Sequence, residues 1–258
     1  MDTIIFKKEG SVAVITLNRP AVFNSFNRDM ALSLQKHLDD CANDKSVRAV
    51  LLTGEGKAFC AGQDLQEAIS GGDVTIEKIV NEHYNPIVKK IRSIEKPIIC
   101  AVNGVAAGAG ANIALACDVV IAGESVSFIQ AFSKIGLIPD SGGTYFLPRL
   151  IGFGKASALM MLGDKISSTD ASAMGMIYKV VADSDLMSTG MQLAQTLANM
   201  PTVGLGLTKR LLNESMTNDL SKQLEAEMHV QAKAAATHDY REGVQAFIEK
   251  RKPVFKGE

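Results

Sequence analysis

Two glycine-bearing segments carry the residue types and spacing best suited to chemistry on a bound ligand. They run from Lys57 to Leu65 (KAFCAGQDL) and from Asn103 to Ala111 (NGVAAGAGA). Each follows a short apolar run that predicts a strand, and the second opens a helix. Small residues at a strand end let a ligand approach exposed backbone N–H groups. Either segment alone is also compatible with a tight turn or close helix packing, but together they indicate a two-donor oxyanion hole.

Other motifs do not fit the chemistry they suggest. Gly108 to Ile113 begins like a dinucleotide-binding fingerprint but lacks the third glycine. Pro139 to Gly143 (PDSGG) reads like the nucleophile segment of chymotrypsin-like proteases, but no histidine stands in the setting that such a triad requires. The four histidines form neither an HxxxH nor an HExxH pair, so no metal site is predicted.

Composition limits the class of protein. The chain has 258 residues, of which 47% are hydrophobic, enough for one main domain. The net charge of -1 provides no electropositive field for nucleic acid. The four cysteines form no CxxC pair, and no apolar run approaches the roughly 20 residues of a membrane helix. We therefore expect a cytoplasmic protein with reduced cysteines and no membrane partner.

Hydrophobic periodicity predicts an α/β fold followed by a helical region. The expected strands cover Ser11–Leu17, Val47–Thr53 and Pro97–Val102. Helices expected between them cover Arg28–Ala42 and Ile76–Ile94. From about residue 155 onward the pattern is almost continuously helical, and the four clearest helices are Leu186–Met200, Thr202–Ser215, Leu220–Ala236 and Tyr240–Lys250.

Five ordered motifs resemble the landmarks of the crotonase (enoyl-CoA hydratase/isomerase) family. They are Asn18-Arg19-Pro20 with Asn24, Ala58 to Leu65, Ala101 to Asp118, Ile135 to Gly143, and Arg241 to Arg251. The resemblance implies a core of repeated ββα turns over residues 1–200 and a helical trimerisation region over residues 201–258. It also implies a homotrimer or a dimer of trimers.

The same resemblance implies where an acyl-coenzyme A substrate binds. The oxyanion-hole donors correspond to the backbone N–H groups of Gln63 and Ala109. The adenine site corresponds to Val22, Asn24 and Ala61, with Phe247 and Lys250 reaching in from a neighbouring subunit. Coenzyme A is part of the substrate, and no separate cofactor is expected. Asp64 is expected to fix its own loop by accepting backbone hydrogen bonds.

The chain departs from the hydratase pattern at the catalytic positions. Asn112 and Phe132 stand where hydratases have the two glutamates that activate water, and here both are candidates for substrate contact. Asp140 matches the acidic residue used by isomerase and dehalogenase branches, and it is interpreted as a general base; the alternative is a cap of the helix beginning near Gly143. The resemblance therefore implies an acyl-CoA isomerase for a ring-epoxide or a linear 3-enoyl substrate. A non-catalytic protein that binds CoA esters is the remaining alternative.

Overall fold

Ten strands and twelve α-helices occupy the described residues, 2–69 and 75–258, of the computed structural model. The strands are β1 (Ile4–Glu9), β2 (Val12–Leu17), β3 (Ala49–Gly54), β4 (Ala58–Cys60), β5 (Ile98–Val102), β6 (Val105–Ala107), β7 (Val119–Gly123), β8 (Ser127–Ile129), β9 (Lys165–Ser167) and β10 (Lys179–Val181). The helices are α1 (Arg28–Asn43), α2 (Leu65–Ala68), α3 (Ile76–Ile79), α4 (Asn85–Ser93), α5 (Ala109–Leu115), α6 (Gly143–Ile151), α7 (Phe153–Leu162), α8 (Ser168–Ala173), α9 (Leu186–Ala198), α10 (Thr202–Ser215), α11 (Leu220–Ala235) and α12 (His238–Glu249). A π-helical segment, Val80–Tyr84, joins α3 to α4.

The strands form two sheets between which the chain alternates. The larger sheet has the order β1-β2-β3-β5-β7-β10, and the smaller has the order β4-β6-β8-β9. Pairing is parallel except between β1 and β2 and between β8 and β9. From β3 to β8, each strand of the larger sheet is followed by one of the smaller sheet. The predicted α/β class is confirmed, and this alternation produces its ββ repeats.

Both faces of the larger sheet are buried at its four central strands, β2, β3, β5 and β7, which explains why these strands are continuous apolar runs. One face packs on α9, where Leu51 and Ile99 belong to the same cluster as Ala194. The other face contributes Val50 and Ile98 to the main core, beneath α1, α4 and α5. The strands β4 and β6 of the smaller sheet are anchored in the same main core through Phe59, Cys60 and Ala106.

Each strand and helix for which residue bounds were predicted is confirmed within about two residues, except that one predicted helix is interrupted. Residues 76–94 form α3, the π segment and α4 rather than one regular helix, and Asn85 donates its N–H to Val80. Pro86 explains the change, because a proline inside an α-helix lacks a donor and clashes with the preceding turn. The prediction of nearly continuous helix after residue 155 was wrong at β9 and β10, whose three-residue length gives little periodicity.

The C-terminal helices are tied to the core through a partly buried ion-pair cluster. The Asp118 carboxylate lies 3.0 Å from Arg92 and 2.7 Å from Lys209, which is on α10. Asn213, also on α10, accepts two hydrogen bonds from Arg92 and donates one to its carbonyl. Along the described chain, no helix is both long and apolar enough to span a membrane. The predicted division at residue 200 stays a prediction.

Candidate active site

A cavity of about 240 Å³ lies where the two glycine-bearing segments meet the turn that carries Asp140. Its described lining is mostly apolar and consists of Ala61, Gly62, Gln63, Leu65, Ala68, Ile76, Ile79, Val80, Tyr84, Gly108, Ala109, Ala131, Phe132, Lys134, Ile135, Leu137 and Asp140. Five predicted site residues therefore share one cavity: Ala61, Gln63, Ala109, Phe132 and Asp140.

The first wall of the cavity is the loop after β4. Gly62 has φ of +96°, and a Cβ there would lie 3.1 Å from the carbonyl oxygen of Ala107. Phe26 flanks the next residue on both sides, since its N–H donates to Gly62 and its carbonyl accepts from Asp64. The N–H of Gln63 makes no hydrogen bond to the described residues. This loop therefore presents a free main-chain donor.

The second wall is the start of α5. Gly108, with φ of +53°, precedes the helix, and Ala109 is its first residue. The first N–H groups of a helix have no acceptor within it, and the helix dipole makes this end attractive to negative charge. A Cβ on Gly62 would lie 3.6 Å from the nitrogen of Ala109, so the two loops are in close contact. Two adjacent main-chain donors of this kind can stabilise a negatively charged oxygen.

Asp140 is the only carboxylate among the described lining residues. Burial raises the pKa of Asp140, and a 2.8 Å hydrogen bond from the Ser141 hydroxyl partly opposes that rise. Ser141 has φ of +51°, an uncommon and strained conformation for a residue with a side chain. The arrangement holds a carboxylate of increased basicity against an apolar cavity.

The alternative role of Asp140 as a helix cap is not found. The N-cap of α6 is Gly142, and no side chain caps that helix. Asp140 contacts the start of α6 through its main-chain oxygen, which accepts from Gly143 at 2.8 Å. Its side chain is therefore available for a different task.

Asn112 and Phe132 occupy different layers of the site. The Phe132 ring forms part of the cavity wall against Gly108. Asn112 is 1% exposed and lies behind the wall, where its Nδ2 donates to the main-chain oxygen of Asp140 at 2.9 Å. Its Oδ1 accepts from Gln130 at 2.8 Å. The predicted contact of Asn112 with substrate stays a prediction, but its polar atoms are already bonded within the protein.

Tyr84 and Gln130 are site residues that sequence analysis missed. The Tyr84 hydroxyl lies 2.6 Å from Oε1 of Gln63, and burial raises the pKa of Tyr84 well above its ordinary value. Nε2 of Gln63 donates to Glu67 at 3.0 Å, so this side chain is held at both ends. Tyr84 contacts Gln63 and Gln130 contacts Asn112, and both partners lie far away in the sequence. Tyr84 lies within a predicted helix, and the sequence there indicated only that this side chain packs in the core.

Some of the residues predicted to bind coenzyme A lie near one another in the structure. The N–H of Ala61 donates to Phe23, which joins the loop after β4 to the segment holding Val22 and Asn24. Val22 is exposed, whereas Asn24 is fully buried and its Nδ2 donates to the carbonyls of Glu55 and Ala58. Asp64 fixes its loop as expected, because it caps α2 through Gln66 and pairs with Arg19.

Phe247 and Lys250 lie on the C-terminal helices and are not part of the cavity lining. Phe247 is 85% exposed and borders a groove between α11 and α12. Lys250 ends α12 in a left-handed conformation and its N–H donates to Phe247. Their predicted contact with a neighbouring subunit's ligand stays a prediction.

Comparison with known proteins gives the family. The enoyl-CoA hydratase/isomerase family matches residues 7–258. The chain belongs to this family. It is 47% identical to 1,2-epoxyphenylacetyl-CoA isomerase of Escherichia coli (strain K12), covering 100% of this chain and 99% of the relative. It is 36% identical to a short-chain-enoyl-CoA hydratase of Clostridium acetobutylicum, covering 98% and 97%.

Solved structures of the family have the same fold. The structure of an enoyl-CoA hydratase from Bacillus anthracis superimposes with a TM-score of 0.95 at 34% identity, over 99% of this chain and 100% of that one. The predicted crotonase resemblance is thereby confirmed. Since family members include both hydratases and isomerases, the choice between these reactions depends on the residues in the cavity.

Proposed function

We propose that this chain is an acyl-CoA isomerase that converts ring-1,2-epoxyphenylacetyl-CoA to oxepin-CoA, with Asp140 as the proton shuttle. The observation that carries the proposal is the isolation of Asp140 as the single carboxylate in the described cavity lining, beside two free main-chain donors. A single group that both accepts and returns a proton is what an isomerisation requires.

The proposed reaction moves one proton and changes no oxidation state overall. The epoxide first opens to the seven-membered oxepin ring. The Asp140 carboxylate then removes a proton from the carbon beside the thioester, and the electron pair of that C–H bond forms the enolate. As the enolate oxygen re-forms the thioester carbonyl, the enolate carbon–carbon pair forms a double bond from the carbon beside the thioester to the ring. The ring double bond at that position breaks, and its electron pair takes the proton that Asp140 returns to the adjacent ring carbon. The raised pKa of Asp140 favours both steps, since it makes the carboxylate a stronger base and keeps the acid form accessible.

The enolate oxygen would be held by the N–H groups of Gln63 and Ala109. Such donors are worth roughly 3–4 kcal/mol each in mutational tests of other enzymes, because they are aimed at charge that develops during the reaction. The contribution is main-chain, so the Gln63 side chain need not react. Its bond to Tyr84 instead supports a fixed orientation of the loop.

Hydration is disfavoured by the same set of residues. Hydratases of this family use two glutamates, and the corresponding Asn112 and Phe132 supply no carboxylate to orient and deprotonate water. The apolar lining also offers few groups that would hold a water molecule beside the substrate. We therefore propose that the chain has negligible hydratase activity.

The ring-epoxide substrate and a role in phenylacetate catabolism rest on the 47% full-length identity to the Escherichia coli isomerase. The alternative is a Δ3,Δ2-enoyl-CoA isomerase for linear chains, since the same carboxylate and donors would shift a 3-enoyl double bond. The apolar lining favours hydrocarbon acyl groups in either case. A non-catalytic CoA-ester-binding protein would have no need of a partly buried carboxylate in the same cavity as the two donors.

We also propose a cytoplasmic homotrimer or dimer of trimers, in which Phe247 and Lys250 of one subunit contact the CoA adenine bound by the next. The four free cysteines are buried and suit a reducing compartment. Exposed apolar residues on α10, α11 and α12, among them Leu212, Met228 and Phe247, support burial against another subunit.

The deciding experiment assays purified protein with the ring-epoxide thioester, a linear 3-enoyl-CoA and crotonyl-CoA in one preparation. We expect the highest kcat/KM with the ring epoxide, measurable turnover of the 3-enoyl substrate and little hydration. A preference for the linear substrate would favour the alternative isomerase. Hydration of crotonyl-CoA comparable with isomerisation would overturn the proposal.

A further inference from the structure

Asn112 connects the base to the oxyanion-binding helix. It lies one turn after Ala109 on α5, and its N–H makes that helix's first bond, to Gly108. Its side chain donates to the main-chain oxygen of Asp140. One side chain therefore spans from the element that supplies an oxyanion donor to the turn that supplies the carboxylate.

The main-chain oxygen of Asp140 determines which way the Asn112 amide faces, because a carbonyl oxygen can only accept a hydrogen bond. An asparagine amide has two orientations that exchange its oxygen and nitrogen. Nε2 of Gln130 donates to Oδ1 of Asn112, which leaves Nδ2 directed at Asp140. The opposite orientation would bring oxygen against oxygen at Asp140, and it would also require the Gln130 amide to turn, since its Nε2 now donates to Asn112 and its Oε1 has no partner among the described residues. Gln130 is itself 2% exposed, so water does not replace it freely.

The Asn112 amide is tightly packed where it contacts the turn that carries Asp140. A Cβ on Gly143 would lie 2.3 Å from Nδ2 of Asn112, so the first residue of α6 packs directly on the amide. The same residue donates its N–H to Asp140. The main-chain oxygen of Asp140 is thus held by two donors, one from Asn112 and one from Gly143.

We infer that Asn112 and Gln130 are positioning residues that set the distance between the Asp140 carboxylate and the oxyanion donors. Neither belongs to the cavity lining, so they act through Asp140 rather than on the substrate. This inference rests on the proposed function. Displacements of about 1 Å in a reacting group can cost on the order of 10²-fold in rate, so a hydrogen bond that fixes the base has a direct kinetic effect.

The test uses the full-length protein and variants Asn112→Leu, Asn112→Ala and Gln130→Met. Leucine keeps the branched outline of asparagine but is larger and cannot donate, and alanine removes the donor without adding bulk against Gly143. We expect kcat for a linear 3-enoyl-CoA to fall by about 10- to 100-fold in the Asn112 variants and by less in the Gln130 variant. The dissociation constant of a saturated acyl-CoA should change little. The deuterium isotope effect on kcat, with substrate labelled beside the thioester, should increase as proton transfer becomes slower.

Asn213→Ala is the control for loss of a partly buried asparagine whose amide donates to a main-chain carbonyl. Asn213 also donates to a main-chain carbonyl, that of Arg92, but it lies on α10 outside the cavity lining. This variant should lose stability while its kcat and isotope effect stay near those of the unmodified protein. If the Asn112 variants behave in the same way, the positioning role is overturned.

Two further measurements keep the outcomes distinct. Asp140→Asn is assayed beside these variants. If Asp140→Asn retains turnover, the proposed function is wrong. If Asp140→Asn is inactive but Asn112→Leu has normal activity, only the positioning role is wrong. If the Asn112 variants do not fold, as judged by circular dichroism, the Gln130→Met enzyme decides. An unchanged kcat and isotope effect in that folded variant would contradict the inference.

Discussion

At Asp140 the fold partly buries an ionisable side chain beside a mostly apolar cavity, where the Ser141 hydroxyl and the residue's own backbone N–H donate to the carboxylate. Replacement by asparagine keeps the size but removes the base. We expect Asp140→Asn to lower isomerase kcat by roughly 10²–10⁴-fold, the range credited to general acid–base catalysis, with acyl-CoA binding little changed. Exchange of deuterium from solvent into the carbon beside the thioester should disappear in parallel. Near-normal exchange would show that another group takes the proton.

The same substitution has a predicted effect on stability. Because burial raises the pKa of folded Asp140, its protonated form is favoured in the folded state. The stabilising contribution of protonated Asp140 to the folded protein is fully present below the pKa that this residue has in the unfolded chain. It is lost as the pH rises through the raised pKa of Asp140 in the folded protein. Asparagine stays neutral throughout.

The difference in Tm between Asp140→Asn and the unmodified protein, taken as variant minus unmodified, should therefore increase as the pH rises from about 3 to about 7. Thermal unfolding across this range measures the difference between the two proteins. A constant difference, or one that shrinks with rising pH, would contradict a raised pKa.

At the scale of elements, the site depends on two loops that can touch only through glycine. Gly62→Ala would strain a residue with φ of +96° and would press its Cβ toward the Ala107 oxygen, displacing the Gln63 donor from that of Ala109. We expect kcat to fall at least about tenfold, together with a lower Tm.

Gly10→Ala is the matched control for this prediction. Gly10 also has positive φ, at +61°, but has open space around its Cβ position and lies in the turn between β1 and β2. Its Tm should drop without a loss of kcat. If the two substitutions lower kcat equally, backbone strain rather than displacement of the Gln63 N–H would explain the loss.

The elements show how far sequence reasoning reaches. The positions of β2, β3 and β5 and of the named helices followed from apolar periodicity, whereas β1, β4, β6, β7 and β8 were not predicted. The assignment of Gln63, Ala109 and Asp140 to one site came from the family resemblance of the motifs that contain them, and the three residues line one cavity. The three-residue strands β9 and β10 were missed, since so few residues define no period. Tyr84 and Gln130 were missed because their roles arise from partners on other elements, Gln63 and Asn112.

At the scale of the whole molecule, the helices after residue 201 expose more large apolar side chains than a monomer requires. Leu224 on α11 is 55% exposed and Ile248 on α12 is 68% exposed. We expect sedimentation to show a homotrimer or a dimer of trimers, because assembly would bury this surface. A stable monomer at micromolar concentration would contradict the prediction.

Phe247 provides a separate test of the proposed contact between subunits. If it touches the CoA of a neighbouring subunit, Phe247→Ala should raise KM for acyl-CoA while leaving kcat little changed. Ile248→Ala is the control, since it removes another exposed apolar side chain from the same helix. Equal changes in KM, accompanied by a shift in sedimentation, would attribute the effect to assembly instead.

The π segment between α3 and α4 has an evolutionary consequence. It carries Val80 and Tyr84, and it follows the turn that places Ile76 and Ile79 in the cavity wall. A π turn holds one residue more than an α turn, so deleting a single residue there would rotate the preceding turn by about 100° relative to α4, while Pro86 would stay in place at the start of α4. Ile76 and Ile79 would then leave the wall while α4 and the core beneath it stayed in place. A one-residue deletion could thus change the range of acyl groups accepted without touching Asp140, so length variation at this point offers a short evolutionary route between substrates.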